Sequence, residues 1–510
     1  MGYKMLQIKL PTLYQDEDIR KAIRKQVGEL DFSFEIEKKS LDARKKNDIH
    51  WQVSLVVSSN KLKGGDPIVS EPLPIPFKKR TEKVIVIGSG PAGFFSAHVL
   101  QLAGFQVTII ERGSEVEQRT KAIHLLESTG AFSTQNNYAF GEGGAGTFSD
   151  GKLTSRSKHI SDERRFILSE YVKAGAPEEI LYMAHPHVGT DNLKLVVANL
   201  RRQFMENGGQ FLFNTQLEKI SVKGHQVDKI GCNTGELEAD HIVLATGHSA
   251  YDTYRMLINN GVQFGTKNFA IGHRIEHPQK LINLAQWGKE SLPGVKAAEY
   301  RLATRTKSDL PVYTFCMCPG GQVVPAAAFE QKSVVNGMSH YHRNGPYSNA
   351  GCVVGVHPDD LLGHKGSALE ILDWMDQLEE RYYRFNNGYV IPTTRAVDYM
   401  KKKESKEAGR SSYLLGMQLA PLFNMIPSFV SNALAEGLAD FSRKLAGFET
   451  GLLMGLESKT SSPIQVAREK DGLCTGFTNL YFVGEGSGYA GGIISSAADG
   501  VKCALALSNK

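Results

Sequence analysis

The stretch that decides the fold is Lys83-Val84-Ile85-Val86-Ile87-Gly88-Ser89-Gly90-Pro91-Ala92-Gly93. A β-branched run meets a glycine turn. An apolar pattern at helical spacing follows through Phe94, Phe95, Ala97, Val99, Leu100 and Ala103. A second buried-strand run, Val107-Thr108-Ile109-Ile110, closes on Glu111. Strand, glycine turn, helix, strand and acid in this order make a dinucleotide-binding βαβ fingerprint. Gly88 allows the tight turn, Gly90 lets backbone approach a pyrophosphate, and Gly93 lets the helix pack close to the sheet. The helix N-terminus offers unpaired N–H groups and the positive end of its dipole to phosphates, with Ser89, Pro91 and Ala92 completing the turn. Glu111 is expected to accept hydrogen bonds from a ribose diol. The fingerprint does not choose between FAD and NAD(P).

Two more glycine-rich runs lie outside it. Phe140-Gly141-Glu142-Gly143-Gly144-Ala145-Gly146-Thr147-Phe148-Ser149-Asp150-Gly151-Lys152-Leu153 carries glycines at a density that close backbone approach to a flat ligand requires. Near the end, Asn479-Leu480-Tyr481-Phe482-Val483 reads as a buried strand. It runs into Gly484-Glu485-Gly486-Ser487-Gly488 and then Gly491-Gly492-Ile493, which opens a helix of small residues from Ser495 to Leu507. Between these, His241-Ile242-Val243-Leu244-Ala245-Thr246-Gly247 returns the chain to the parallel sheet. No second fingerprint follows it, which argues against a separate NAD(P) domain.

Length and composition narrow the class. A chain of 510 residues predicts roughly two to four domains. Its 41% hydrophobic and 22% charged residues are those of an ordinary globular protein, and a net charge of +5 points neither to nucleic acid nor to an anionic membrane. The first ten residues lack the apolar core of a signal peptide, and no apolar run reaches the ~18 residues of a membrane span. Six scattered cysteines imply thiols and a cytoplasmic protein, with no disulfide scaffold. His185-Pro186-His187 has no acidic or cysteine partner nearby, so no metal site is expected.

Residues 1–75 read as a small separate α+β domain of βαββ order. A linker, Lys63-Gly64-Gly65-Asp66-Pro67 with Pro72, Pro74 and Pro76, follows it. Lys38, Lys39, Arg44, Lys45 and Lys46 cluster between two of its strands, more as a solvated face than as a binding patch. Residues 263–460 read as a substrate or cap domain containing Gly272-His273-Arg274-Ile275-Glu276-His277-Pro278 and Cys316-Met317-Cys318-Pro319-Gly320-Gly321. Ser411 to Phe441 is apolar and expected to be helical, interrupted at Pro421 and Pro427.

These motifs together resemble FAD-dependent oxidoreductases of the glutathione-reductase-like fold, and more closely the family of uncharacterised FAD-dependent dehydrogenases. Gly88 to Gly93 with Glu111 matches the ADP end, Ala245-Thr246-Gly247 the middle crossover, and Tyr481 to Glu485 the late strand whose acid holds the ribityl chain. Here that acid is Glu485, where many relatives have Asp. The resemblance implies an α/β fold with a Rossmann-like FAD domain assembled from discontinuous segments, 80–155, 156–262 and 461–510, around the inserted domain. It implies FAD held by Gly88, Ser89, Gly90, Pro91, Ala92, Gly93, Glu111, Arg112, Arg119, Gly143, Gly144, Gly146, Leu217, Thr246, Gly247, Glu485, Gly491, Gly492 and Ile493. Its activity is expected to be hydride transfer on a small organic substrate, with electrons coming either from NAD(P)H as a transient donor or from another protein. The alternative is a flavin protein that modifies or binds RNA through residues 1–75. Lys152 is the candidate for steering an acidic substrate, Cys316 and Cys318 for a redox thiol pair, and His273 for proton supply.

Overall fold

The computed structural model describes residues 2–28, 31–63 and 71–510. Most of the linker at 64–70 therefore lies outside the described residues. The glycine-turn strand Lys83–Ile87 sits at the centre of a five-stranded sheet ordered Leu480–Phe482, His241–Leu244, Lys83–Ile87, Gln106–Ile110, Gln210–Leu212. Every pair in it is parallel. On one side of Lys83–Ile87 the strands follow in chain order, Gln106–Ile110 and then Gln210–Leu212. The other side is built by the two later strands, His241–Leu244 and Leu480–Phe482.

Helix Pro91–Leu102 crosses from the first strand to the next, and Ala92 to Leu100 are all buried. Such a helix has no solvent face and must be covered by another element. The terminal helix Gly492–Ser508 covers it. A Cβ at Gly500 would lie 2.2 Å from the Ala92 carbonyl oxygen, and Ser96 Oγ donates to the Gly500 carbonyl at 3.0 Å. The small residues of the last helix thus let two backbones touch.

The segment after Phe264 builds a seven-stranded sheet ordered Ala303–Arg305, Pro311–Cys318, Tyr347–Val356, Phe269–Pro278, Leu452–Glu457, Ile391–Arg395, Met417–Leu419. Its strands are antiparallel except the last pair. The expected helix over Ser411 to Phe441 is corrected here. Met417–Leu419 joins the sheet edge as a strand, and helix begins only at Ser428, ending at Lys444. Pro421 and Pro427 separate the two, because proline lacks the N–H a continuing helix needs.

Strands Gly2–Leu10, His50–Ser59 and Ser33–Asp42 form the N-terminal sheet, covered by helix Asp16–Val27 through Ile19 and Ile23. Part of its basic cluster is spent internally. The Lys39 ammonium lies over the Tyr14 and Trp51 rings at 4.8 and 4.5 Å, and Arg44 pairs with Asp42. The edge strand also docks outward: Lys39 N–H donates to the Tyr182 carbonyl at 2.8 Å, and Ala184 N–H to the Lys39 carbonyl at 2.9 Å. Three residues on, the same segment pairs with the second glycine run, Lys152 opposite His187. One backbone ladder therefore links the N-terminal domain to Lys152.

Candidate functional site

The glycine turn contains two kinds of glycine. Gly88 has φ +102°, and a Cβ there would lie 2.5 Å from the Ala245 carbonyl oxygen. A Cβ at Gly93 would lie 1.9 Å from the Gly88 carbonyl oxygen. Both are required by the fold. Gly90 is not: its φ is −66°, and the nearest atom to an added Cβ is Gly144 Cα at 3.8 Å. Gly90 caps helix Pro91–Leu102 with no side chain on the first-turn N–H groups.

Glu111 ties this turn to the rest. One carboxylate oxygen accepts from Ser89 N–H at 2.9 Å and Ser89 Oγ at 2.7 Å. The other accepts from Gly113 N–H at 3.0 Å and Gly141 N–H at 3.1 Å. About four lone-pair positions are all a carboxylate has. This corrects the expectation of a ribose anchor: Glu111 joins the first and second glycine runs. Arg119 is corrected likewise. Sealed from solvent, its guanidinium donates to the carbonyls of Asn137, Tyr138, Gly141, Glu142 and Gly144 and sits 4.7 Å from the Phe148 ring. It shapes the second glycine run from beneath. Arg112 donates to Asp252 and Thr253 and lies over Phe140. Leu217 begins the strand Leu217–Lys223, its side chain buried in the core.

The second glycine run bridges two helix N-termini. Gly144 (φ +63°) faces Gly90, where a Cβ would come 3.0 Å from the Gly90 Cα. Gly143 has φ +76°. A Cβ at Gly146 would come 3.2 Å from Ile493, in the first turn of helix Gly492–Ser508. Around this path the surfaces are open. Added Cβ atoms at Gly247 and Gly492 meet nothing within 4 Å, and one at Gly491 meets only Glu485, at 3.9 Å. Thr246 Oγ1 and His248 Nε2 are buried with no hydrogen-bond partner among the described residues. His248 Nδ1 lies 3.6 Å from Glu485. Open glycines, two helix N-termini and unpartnered polar atoms fit an elongated dinucleotide such as FAD.

At the far end of the run lies a charged cluster, and most of it escaped sequence reasoning. Asp150 is buried and accepts from Arg343 Nε at 3.0 Å and Nη2 at 2.5 Å, with Lys152 Nζ at 3.5 Å. Burial opposes its ionisation, but Arg343 and Lys152 prevail and hold its carboxyl well below the usual range. Lys152 also donates to the Met317 carbonyl and keeps 29% of its side chain exposed. Arg274, fully buried, donates to Asn349 Oδ1 at 2.7 Å, Glu457 at 2.5 Å and the Cys316 carbonyl at 2.7 Å. Its Nη2 is 3.7 Å from Cys318 Sγ. Burial pushes Glu457 up to about 7 against the pull of Arg274, and His248 is near enough to oppose that rise.

Cys316 and Cys318 close the site. Cys316 has φ 42°, left-handed for a non-glycine residue, at a bulge where pairing slips between Phe315 and Cys318. A hydrogen bond from Cys318 lowers the Cys316 thiol despite burial, aided by Lys152 and Arg274. His273 is displaced from this group. It precedes Arg274 in strand Phe269–Pro278 and so faces the opposite side of the sheet. It is sealed beside Tyr382 and Tyr399, bonded to the Gly455 carbonyl, and burial lowers it to about 4. The expectation of proton supply by His273 is therefore corrected. Arg274 and Asp150 lay inside quoted motifs, whereas Glu457, Arg343 and His248 carried no local signal.

The family models agree with this architecture. Residues 82–280 match the pyridine nucleotide-disulphide oxidoreductase family, and residues 268–460 match the C-terminal-domain-like family of FAD-dependent proteins. An uncharacterized protein of Clostridium beijerinckii is 40% identical over 519 residues, covering 97% of this chain and 96% of its own. The chain belongs with that relative to a family of FAD-dependent oxidoreductases. It is an enzyme whose cofactor is FAD. Among solved structures, a flavin-dependent brominase is 12% identical, covering 84% of this chain and 79% of its own, with a TM-score of 0.39. A flavoprotein/dehydrogenase from Cytophaga hutchinsonii is 12% identical, covering 84% and 77%, at 0.36. Among the described residues no helix is long and apolar enough to cross a membrane.

Proposed function

We propose that this oxidoreductase transfers hydride between FAD and a small organic acid whose carboxylate is held by Lys152. The observation that carries the reading is a convergence. The second glycine run meets both helix N-termini, at Gly90 through Gly144 and at Ile493 through Gly146, and the same run continues to Lys152, the cation of the cluster whose side chain is partly exposed. In this reading segments 80–155, 156–262 and 461–510 form an FAD domain of glutathione-reductase type, and 263–460 supplies the substrate face.

Bound FAD would supply the two-electron chemistry. The N–H groups after Gly90 would take the pyrophosphate, and Glu485 the ribityl hydroxyls. Gly491, Gly492 and Ile493 would present a helix N-terminus to the pole of the ring that gains negative charge on reduction. Lys152 is held charged. Burial works against its proton, but Asp150 outweighs burial and raises it above the ordinary lysine value. A charged lysine beside buried arginines favours an anionic substrate and disfavours a cationic one.

The test is anaerobic. Purified protein should be yellow and release FAD on denaturation, and NADH or NADPH should bleach it. Lys152→Met should keep FAD and lose kcat/KM for carboxylate substrates by about tenfold or more, the loss of one charged hydrogen bond. Unchanged selectivity between acids and their esters in that variant would refute the assignment.

A further inference from the structure

A cavity lies away from the glycine runs, where the N-terminal sheet meets the loop after helix Gln279–Trp287. Its volume of about 470 Å³ falls within the range of about 300–1,000 Å³ usual for small-molecule pockets. Three segments line it. Lys9 to Thr12 close the first strand, Lys46 to His50 lead into strand His50–Ser59, and Lys289 with Leu292 follow the helix. None of these residues belongs to the glycine runs or to the Lys152 cluster, so the site is independent of the FAD reading.

Close packing fixes the walls. Trp51 Nε1 donates to the Thr12 carbonyl at 3.0 Å, and a Cβ at Gly294 (φ +77°) would lie 2.0 Å from that same oxygen. Val295 packs against the core of the N-terminal sheet as well as its own. Lys46 runs past Gly288, where a Cβ would lie 3.4 Å from Lys46 Cδ. Of the basic cluster between the strands, Lys39 and Arg44 are satisfied within their own sheet, whereas Lys46 lines the cavity.

The lining is cationic and largely unanswered. Lys9, Lys46 and Lys289 come from three segments, are exposed, and have no ion-pair partner among the described residues. Asp48 is the only carboxylate in the lining, and it faces His50. His50 Nδ1 lies 3.0 Å from the Asp48 carbonyl oxygen and 3.3 Å from its carboxylate. A carbonyl oxygen can only accept, so Nδ1 carries the proton. Nε2 is the other end of this buried ring and has no hydrogen-bond partner among the described residues. Buried polar atoms ordinarily have one. Leu10, Pro11, Ile49 and Leu292 add apolar surface to the same cavity. We propose that it binds a phosphate monoester. Lys9, Lys46 and Lys289 would hold the phosphate, His50 Nε2 would share a proton with one of its oxygens, and the apolar lining would take the organic part.

The test is calorimetric titration of the FAD-loaded protein with phenyl phosphate, inorganic phosphate and phenol. It is run at about 0.15 M salt, where diffuse surface attraction is screened. Phenyl phosphate should bind at one site, inorganic phosphate several-fold more weakly, and phenol not at all. Lys46→Met combined with Lys289→Met removes two exposed charges and should weaken phenyl phosphate by about tenfold or more. His50→Asn can keep a donor toward the Asp48 carbonyl while removing Nε2, and should weaken it by about tenfold. Lys152→Met should leave it unchanged. Absence of saturable binding at millimolar concentrations would overturn the proposal. So would binding that survives the double lysine variant but is lost in Lys152→Met, since the anion would then sit at the substrate site. Equal affinity for phenyl phosphate and inorganic phosphate would overturn the assignment of an ester.

Discussion

Replacing Gly90 by alanine separates what the fold needs from what the ligand needs. The turn position has φ −66°, comfortable for any L-residue. The added methyl would have Gly144 Cα as its nearest neighbour at 3.8 Å, an ordinary van der Waals contact. The apoprotein should therefore lose nothing, and reduced freedom of the unfolded chain should stabilise it by about 0.4–1 kcal/mol. Nothing in the chain requires glycine there, whereas a pyrophosphate lying against the backbone would. A methyl facing a pyrophosphate is an overpacking defect of about 1–3 kcal/mol. That weakens FAD binding by roughly 5- to 150-fold. Gly93→Ala is the contrasting variant. Its Cβ would lie 1.9 Å from the Gly88 carbonyl oxygen, so the apoprotein itself should be destabilised by at least about 1 kcal/mol. Fluorescence titration of apoprotein with FAD gives Kd, and urea unfolding of the apoprotein gives stability. An unchanged Kd in Gly90→Ala would refute the placement of the phosphates. A loss of apoprotein stability above about 1 kcal/mol would refute the claim that this glycine is free of structural duty.

Two other predictions concern docking and pH. Lys39 N–H points away from its own sheet to the Tyr182 carbonyl, and proline is tolerated at such an outward position of an edge strand. Lys39→Pro should keep the N-terminal domain folded and accelerate amide hydrogen exchange at residues 182–187, and unaltered exchange there would show that docking does not hold that segment. His273 is held neutral, lowered to about 4 by burial from an ordinary 6.5, so the unfolded chain binds more protons between those values. Stability should therefore rise with pH across that window, and acidification to pH 5 should cost about 2 kcal/mol from this group alone. Glu457, raised to about 7, works in the opposite direction. His273→Gln should make the dependence shallower in urea unfolding between pH 5 and 7, and an unchanged slope would refute the burial argument.

Sequence reading went furthest where the constraint is local. Gly88 is specified by the φ of its own turn and Gly93 by its clearance from the Gly88 carbonyl, so strand, turn and helix could be read from eleven consecutive residues. The apolar runs at Val84–Ile87, Val107–Ile110 and Ile242–Leu244 are strands because each is buried on both faces of a parallel sheet. The same logic failed at Ser411 to Phe441, where apolar content suits an edge strand and a helix equally and the partner strand Ile391–Arg395 decided the outcome.

The candidate site shows the other limit. Arg274 meets Glu457 across 183 residues, and Arg343 meets Asp150 across 193. His273 and Arg274 are adjacent in sequence, yet strand alternation sends one to the core and the other to the cysteines. Glu111 had the position of a ribose anchor, but four donors from three segments converge on it in the folded chain. Sequence alone determined that a dinucleotide turn exists and which residues form it, because backbone conformation and steric clearance are properties of neighbouring residues. Only the tertiary structure decided what stands at the far end of that turn, because charge pairing and the left-handed bulge at Cys316 depend on strands that meet only when the sheets assemble.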